Sequence, residues 1–478
     1  MGCAGSRKLP RHTLRAVRAR RRWPGHRIRF LRPIVVPINH AIRQPPRPRD
    51  PQQDIRRGMA RKIIENAAAL GLLQIVNLAL PLLALPYLAH VLGQDDLGRM
   101  AFALSVAQIF VILTDYGFTL SGPKNIALHR DDIDAVAGIW SAITCIRVAF
   151  SIAGFGLLWL LALCFERFAR DLPILIAAYG MVVGNILYPQ WLFQGLERLK
   201  AVSAIQVAAR LIAFGALFVV VKGPDDLYLA TFLQGSGFLI GGLLALPRTL
   251  STLRGGRITW PTGAQLRHQL HEGWHVFLST AAINIYTSSN AFFLGLLAPA
   301  AVVGQFHVAE RIIRAVQMLY APIGNALYPH ASRLAAQAPE QLLAFNRKLL
   351  IFLGGAAAAV SIAIFLLAPF VVGMLFGRDY ALSIQVLCIL SPLPFIVVCS
   401  NIFGTQTMIP LGMSKIFSRI LLISAIFNLV VFIPLAYYYG AIGAAMANIA
   451  VEIGVTLAMV AALRANGRGP FSGKVRIW

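Results

Sequence analysis

Long apolar stretches separated by short polar connections run from residue 61 to residue 464. A helix needs about 20 mostly apolar residues to cross the hydrocarbon core of a bilayer. By that measure the chain holds about twelve spans, which we place at 63–91, 98–122, 135–164, 172–195, 200–221, 227–247, 273–297, 302–330, 347–376, 381–408, 414–437 and 441–463. Because helices satisfy their backbone hydrogen bonds internally, the pattern predicts an all-α integral membrane protein.

Lysine and arginine residues fall on alternate connections between these spans. With the N-terminus in the cytoplasm, the inside segments hold 19 of them and the outside segments hold 5. This asymmetry predicts that both termini are cytoplasmic. The longest inside connection, 251–270, then separates two six-helix bundles at 59–250 and 271–464, and a tail follows at 465–478. A weak internal echo accompanies the division, since Leu97-Gly98 opens the second span and Val303-Gly304 opens the eighth.

Composition agrees with a membrane protein and argues against an enzyme. The 478 residues are 57% hydrophobic and 13% charged, about half the charged fraction of soluble domains. No connection is long enough for a separate catalytic domain, and the sequence lacks the phosphate-binding loop of nucleotide hydrolases. The five cysteines show no paired spacing, so we predict neither a disulfide framework nor a metal site.

The first 58 residues differ in composition from the rest. They hold 16 Lys and Arg, 8 Pro and two acidic residues. Without them the net charge falls from +25 to +11, from 28 basic and 17 acidic residues. Three interpretations stay open: a disordered basic arm, an organellar targeting segment, or upstream sequence with Met59 as the true start. We favour the last, and we expect no nucleic-acid partner.

Polar residues form stripes at helical spacing in four of the predicted spans. The first span carries Asn66, Gln74 and Asn77, the second Ser105, Gln108 and Asp115, the seventh Thr280 and Asn284, and the eighth His307, Glu310, Arg311, Arg314 and Gln317. Such stripes face protein or a water-filled cavity rather than lipid. Spans one, two, seven and eight are equivalent pairs in a six-plus-six arrangement, so we predict one central cavity. The alternative, which we favour for the seventh span alone, is hydrogen bonding between helices.

Seven ionisable residues lie inside the predicted spans: Asp115, Arg147, Arg210, Glu310, Arg311, Arg314 and Glu452. Each costs about 2.5–3.5 kcal/mol at bilayer depth unless it is paired or hydrated. Glu310 and Arg314 are four residues apart and can pair. A guanidinium group matches two oxygens of a phosphate or carboxylate. Four cations against three anions therefore favour an anionic substrate, although Arg147 and Arg210 could instead be paired or extend to the interface.

Several short runs resemble Wzx-type polysaccharide flippases of the multidrug/oligosaccharidyl-lipid/polysaccharide superfamily. They are LGRMAFALS at 97–105, LTDYGF at 113–118, YPQWLFQGLE at 188–197 and AERI at 309–312. The resemblance covers about 60–463, and the motifs at 113–118 and 188–197 are more specific together than either is alone. It implies twelve helices in two bundles, a central cavity and alternating access. It also implies that an undecaprenyl-diphosphate-linked oligosaccharide is moved from the cytoplasmic to the periplasmic leaflet of a bacterial inner membrane.

The resemblance and the buried charges together suggest roles for individual residues. The diphosphate would be attracted by four arginines, Arg147, Arg210, Arg311 and Arg314. Sugar hydroxyls would be contacted by four amides, Asn66, Gln74, Asn77 and Asn284. Ion pairs that change between the inward and outward states would be formed by Asp115, Glu310 and Glu452. No cofactor is expected beyond coupling H⁺ or Na⁺. Expected partners are the lipid-linked oligosaccharide, the membrane, and the polymerase and chain-length proteins of polysaccharide synthesis.

Three rivals stay open at this point. A cation-coupled multidrug exporter of the same superfamily would have an acidic cavity. A peptidoglycan-precursor flippase typically carries two further helices. A membrane-embedded glycosyl polymerase or ligase would usually display a large periplasmic loop, whereas every outside connection here is short.

Overall fold

The computed structural model describes residues 51–467, except for the side chains of residues 51–70, 72–75, 77, 279, 282, 285–288 and 321. The chain divides into residues 1–55 and residues 56–478, and the account below concerns the second part. Most of the leader at 1–58 and of the tail at 465–478 lies outside the described residues, so neither prediction is tested.

Every regular element among residues 51–467 is a helix. The α-helices are α1 Pro51–Asp115, α2 Phe118–Leu128, α3 Ile133–Cys164, α4 Glu166–Arg170, α5 Leu172–Leu187, α6 Gln190–Gly195, α7 Leu199–Val220, α8 Leu227–Thr252, α9 Gly263–Ser288, α10 Asn290–Leu297, α11 Ala300–Met318, α12 Tyr320–Gln337, α13 Pro339–Leu349, α14 Gly355–Phe376, α15 Ala381–Leu390, α16 Leu393–Phe403 and α17 Ser414–Ala465. Short 3₁₀ turns lie at Pro224–Asp226 and Arg378–Tyr380, and π-helical turns at Leu350–Gly354 and Gly404–Met408. The all-α prediction is confirmed.

The two longest helices each contain a glycine that interrupts them. Gly93 in α1 has φ 75° and Gly440 in α17 has φ 56°. Side-chain-bearing residues rarely adopt this left-handed region, so glycine lets the chain turn there at little cost. The interruptions fall between predicted spans one and two and between spans eleven and twelve. Each of these helices therefore corresponds to two predicted spans.

Eight stretches of the described residues are long and apolar enough to cross a membrane, judged by length and composition. They coincide with nine of the twelve predicted spans and with the second half of the first, from Leu78 onward. The remaining two are the seventh, in α9 and α10, and the eighth, in α11 and α12. Both of these spans carry polar stripes, which lower their hydropathy. The chain is a multi-pass helical membrane protein, and the number of twelve crossings stays a prediction.

Two glycines bring α1 and α11 into close contact. A Cβ atom added to Gly98 would come within 2.6 Å of the Ala300 carbonyl carbon and 2.9 Å of the Gly304 nitrogen. A Cβ atom on Gly304 would meet the Gly98 nitrogen at 3.0 Å. Small residues allow helix backbones to approach this closely in membranes. The two glycines of the internal echo thus pack against each other, at what we term the Gly98–Gly304 crossing.

Hydrogen bonds surround the Gly98–Gly304 crossing. Gln305 Nε2 donates to Gln94 Oε1 at 2.7 Å, and Gln94 Nε2 donates to the Asp379 carbonyl at 2.8 Å. The Ser383 backbone nitrogen donates to Gln305 Oε1 at 3.1 Å. The two bonds of Gln94 join residues 59–250, the N-terminal half, to residues 271–464, the C-terminal half, and the Ser383 bond holds Gln305 in place within the C-terminal half. The division into two six-helix bundles itself stays a prediction.

Arg167, in the connection between α3 and α5, adds to the same contact between halves. Its Nη1 donates to the Ala298 carbonyl at 3.0 Å, and its guanidinium carbon lies 5.0 Å from the centre of the Phe102 ring. Burial lowers the pKa of this guanidinium below its ordinary value. The cation–π contact and the carbonyl compensate part of the desolvation cost.

Candidate functional site: three adjoining internal cavities

Helix α11 presents a stripe of polar side chains in the interior of the protein. His307 and Glu310 are buried, each 7% exposed. Arg314 Nη2 donates to Glu310 Oε1 at 2.8 Å, the pairing that their spacing predicts. Arg311 Nε lies 3.4 Å from His307 Nε2, one turn earlier on the same helix. The stripe therefore concentrates polar and charged groups within about two turns of α11.

A cavity of about 290 Å³ opens between the two halves beside this stripe. Helices α1, α5, α7, α8, α10 and α11 contribute to its wall. Its polar lining is Ser105, Gln108, Arg210, Gln234, His307, Glu310, Arg311 and Arg314. Three guanidinium groups face one carboxylate, so we name it the cationic cavity. An anion is the ligand that this balance favours.

Arg210 reaches the cationic cavity from α7 in the N-terminal half. Its guanidinium carbon lies 4.7 Å from the centre of the Phe238 ring. Its buried Nε has no hydrogen-bond partner within residues 51–467 as described. A buried donor without a partner is costly, and this atom is enclosed by protein. Arg210 is thus held against an aromatic face, and its side chain contributes to the lining of the cationic cavity.

A second cavity, of about 280 Å³, lies on the C-terminal side of the Glu310–Arg314 pair. Its polar lining is Glu310, Arg314, Gln317, Ser400, Asn401, Thr405, Asn448 and Glu452. Two carboxylates face one guanidinium, so we name it the carboxylate cavity. Glu310 and Arg314 line both cavities, and their ion pair therefore stands between them.

A third cavity, of about 410 Å³, adjoins the carboxylate cavity and shares Gln317, Asn401 and Thr405 with it. The rest of its lining is Tyr320, Gly324, Asn325, Tyr328, Gln406 and Ile409. No charged side chain is among these described lining residues, so we name it the neutral cavity. The charge of the walls thus changes stepwise from cationic through mildly acidic to neutral.

The structure places Arg147 and Asp115 apart from these cavities. Arg147 is 1% exposed, its Nη2 lies 3.6 Å from Asp115 Oδ1, and it donates to the Asn185 carbonyl at 3.1 Å. Thr119 donates a short hydrogen bond to the other oxygen of Asp115. Neither residue of the pair lines the cationic cavity. The pair is an internal ion bridge of the N-terminal half.

Of the four predicted sugar-contacting residues, only Asn284 has a described side chain. Asn284 Nδ2 donates to the Thr280 carbonyl of its own helix at 2.9 Å, and Asn284 is not among the cavity-lining residues. The side chains of Asn66, Gln74 and Asn77 lie outside the described residues, so their prediction is untested. Glu452 lines the carboxylate cavity together with Asn448, as their shared helix face suggests.

The motif at 113–118 forms a break in the helix that packs against α9. Tyr116 and Gly117 both have positive φ, 46° and 79°, and end α1 before α2 begins. The Tyr116 ring stacks on Phe277 with centroids 4.9 Å apart. A Cβ atom on Gly117 would lie 2.8 Å from the Phe277 nitrogen. The motif therefore joins the N-terminal half to the middle of α9.

The motif at 188–197 lies close to this break. It forms α6, which packs on α2: a Cβ atom on Gly122 would lie 2.8 Å from the Trp191 ring, and one on Gly195 would lie 2.6 Å from Ile126 Cβ. The two motifs that carry the resemblance are thus neighbours in space.

Several cavity residues were missed by sequence reasoning. Gln234 lines the cationic cavity, and Asn401 and Thr405 line both the carboxylate and neutral cavities. Gln234 is a single amide in an apolar span, which could have been noticed. Asn401, Thr405 and Gln406 lie at or beside the Gly404–Met408 π-helical turn, whose altered period hides them from a search for steps of three and four.

Many apolar helices, charges buried between them and adjoining internal cavities define a multi-pass membrane transporter. A family model described as "Polysaccharide biosynthesis protein" matches residues 63–335. A relative from Escherichia coli (strain K12), named "Putative O-antigen transporter", is 31% identical over 84% of this chain and 96% of its own length. The chain belongs to this polysaccharide biosynthesis protein family, so the resemblance stated from the motifs is confirmed.

Other matches agree. A Shigella dysenteriae protein of the same name is 28% identical over 84% of this chain and 100% of its own length. Among solved structures, "Lipid II flippase MurJ, inward closed conformation" has a TM-score of 0.66 at 13% identity, covering 84% of this chain and 87% of that one. An inward-facing multidrug resistance MATE family transporter of the MOP superfamily has a TM-score of 0.61 at 15% identity, covering 82% and 98%. These two structures show the shared fold.

Proposed function

We propose that this protein moves a lipid-linked oligosaccharide, carried on undecaprenyl diphosphate, between the leaflets of a bacterial inner membrane for polysaccharide synthesis. The observation that carries the proposal is the cationic cavity, in which Arg210, Arg311 and Arg314 converge from both halves. A diphosphate bears adjacent anionic oxygens that guanidinium groups bind in pairs. The curated relatives, which are named as O-antigen transporters, support the same substrate class.

The ion pair between the cavities gives the proposal a physical route. Arg314 Nη2 donates to Glu310 Oε1 at 2.8 Å. A diphosphate bound beside Arg311 would compete with Glu310 for Arg314. The diphosphate and the Glu310 carboxylate are both negative, and placing them next to each other costs energy. Glu310 would then be released toward the carboxylate cavity and Glu452, where H⁺ or Na⁺ could balance it. Substrate binding would in this way alter an ion pair that both cavities share.

Orientation supports loading from the cytoplasm. The basic residues of the connections favour both termini inside, and the Gly98–Gly304 crossing would then lie at the periplasmic end. Hydrogen bonds between the halves, such as Gln305 to Gln94, close that end. The neutral cavity lies toward the opposite end, beside α12, which leads into a connection assigned to the cytoplasm. We propose this conformation as the one that receives substrate.

The alternatives fit less well. A cation-coupled drug exporter would favour an acidic cavity between the halves, whereas three guanidinium groups line this one. The names of the curated relatives describe transport and not the bond formation of a glycosyl polymerase or ligase. The transporter would deliver its product to the polymerase and chain-length proteins, which we propose as partners.

Leaflet transfer in reconstituted liposomes tests the proposal. Lipid-linked oligosaccharide extracted from cells that lack the protein is placed in the membrane, and an impermeant glycosidase reports what has reached the outer leaflet. We expect protein-containing liposomes to transfer the lipid and empty liposomes not to. Export of a cationic dye without glycolipid transfer would favour the drug exporter, and a lengthened glycan would favour the polymerase.

A further inference from the structure

The neutral cavity has a lining suited to a ligand without charge. Tyr320 and Tyr328 contribute aromatic rings, and Gln317, Asn325 and Asn401 contribute amides. A sugar ring carries hydroxyl groups at its rim and C–H bonds on its faces. Amides both donate to and accept from hydroxyls, and tyrosine offers a flat apolar face with a polar tip. The chemistry matches a glycan better than a phosphate.

The wall of the neutral cavity is held from behind by hydrogen bonds. Thr405 and Gln406 belong to the π-helical turn Gly404–Met408, a rare conformation that is frequent at functional sites. Asn346 Nδ2 donates to the Gln406 carbonyl at 2.9 Å, and Gln406 Nε2 donates to the Gly324 carbonyl at 2.7 Å. Hydrogen bonds of this kind restrain the wall, and a restrained wall lowers the entropy cost of binding a ligand.

The distance between the neutral cavity and the cationic cavity is one that a single lipid-linked oligosaccharide could span. From Arg314 along α11 and α12, the helical rise gives about 9 Å to Tyr320 and about 21 Å to Tyr328. The carboxylate cavity lies between and shares residues with both neighbours. A molecule with a diphosphate at one end and a short chain of sugars at the other would fill this series.

We infer that the neutral cavity binds the glycan of the lipid-linked substrate while the diphosphate occupies the cationic cavity. The inference rests on the proposed function and adds to it a separate glycan subsite. The side chains that carry it are Tyr320, Asn325, Tyr328, Asn401 and Thr405.

Binding measurements with two lipids test the glycan subsite. Protein in nanodiscs is titrated with undecaprenyl diphosphate, which has no sugar, and with the lipid-linked oligosaccharide extracted from cells that lack the protein. The double variant Asn325→Ala and Tyr328→Ala changes two exposed positions of α12. We expect its affinity for the oligosaccharide lipid to fall about tenfold, or 1.4 kcal/mol, with affinity for undecaprenyl diphosphate unchanged. Tyr438→Ala, at an exposed tyrosine of α17, is the matched control.

The outcomes separate the two proposals. If the wild-type protein binds both lipids equally, or the double variant binds both as the wild type does, the neutral cavity is not a glycan site. A double variant that weakens for both lipids alike also overturns the inference, because the effect is then not on the glycan. If the wild type binds neither lipid and transfers none, the proposed function fails and takes the inference with it.

Discussion

Arg147 and Arg311 were assigned the same role from sequence, and they have opposite surroundings. Arg147 is 1% exposed, paired with Asp115 and bonded to a backbone carbonyl. Arg311 lines a cavity of about 290 Å³ beside two further arginines. The difference shows two ways in which the cost of an arginine at bilayer depth can be met: by pairing with a nearby carboxylate, or by facing an open cavity. Only the second leaves a charge available to a substrate.

The largest effect is expected from removing the enclosed arginine. Arg147→Met leaves the carboxylate of Asp115 inside the N-terminal half without its cation, which costs about 3 kcal/mol or more. We expect a lower yield and a clearly lower melting temperature in detergent. Adding Asp115→Asn to the same chain should restore both, because no unpaired charge remains. Arg419→Met, at an exposed position of α17, is the control.

Transport by the rescued chain sharpens the comparison. If the Arg147→Met and Asp115→Asn chain folds and transfers glycolipid at the wild-type rate, Arg147 has a structural role. If Arg147→Met alone keeps the wild-type melting temperature yet transfers nothing, Arg147 contacts substrate after all, and the comparison breaks down.

The second effect is expected at the cavity. Arg311→Gln removes one charged donor, and hydrogen bonds to charged groups contribute about 1.5–3 kcal/mol, or about 10- to 100-fold in transfer rate. The melting temperature should stay near that of the wild type, since glutamine still lines the cavity. Arg311→Lys should recover part of the rate because it keeps the charge. An unaltered rate in Arg311→Gln at equal protein level would refute the anion-site assignment.

Sequence patterns predicted the helices and the stripe of α11 well, and the partners of distant residues poorly. Glu310 and Arg314 were paired correctly because four residues along a helix fix their distance. Arg147 and Asp115 lie on different helices, and only packing decides whether they meet each other or a cavity. The residues near the Gly404–Met408 turn were missed because a π-helical turn departs from the helical period.

The Gly98–Gly304 crossing shows that a weak repeat in the sequence can correspond to a contact in the structure. The two glycines were noticed as an echo between halves, yet nothing in spacing alone says that equivalent positions touch. Their contact follows from the arrangement of α1 and α11, which requires a small residue on both sides. Long-range packing, rather than local propensity, supplied this information.

The smallest effect is expected where an aromatic ring orients an arginine. Phe238→Leu removes the ring that lies 4.7 Å from the Arg210 guanidinium, a contact worth about 0.5–1 kcal/mol. We expect transfer to slow about two- to fivefold, by way of Arg210 alone. In an Arg210→Gln background, Phe238→Leu should therefore have no further effect, as a double-mutant cycle would measure. Phe370→Leu, at an exposed position of α14, controls for the loss of a ring. Additive effects of the two substitutions would mean that Phe238 shapes the cavity independently of Arg210 and does not orient its guanidinium group.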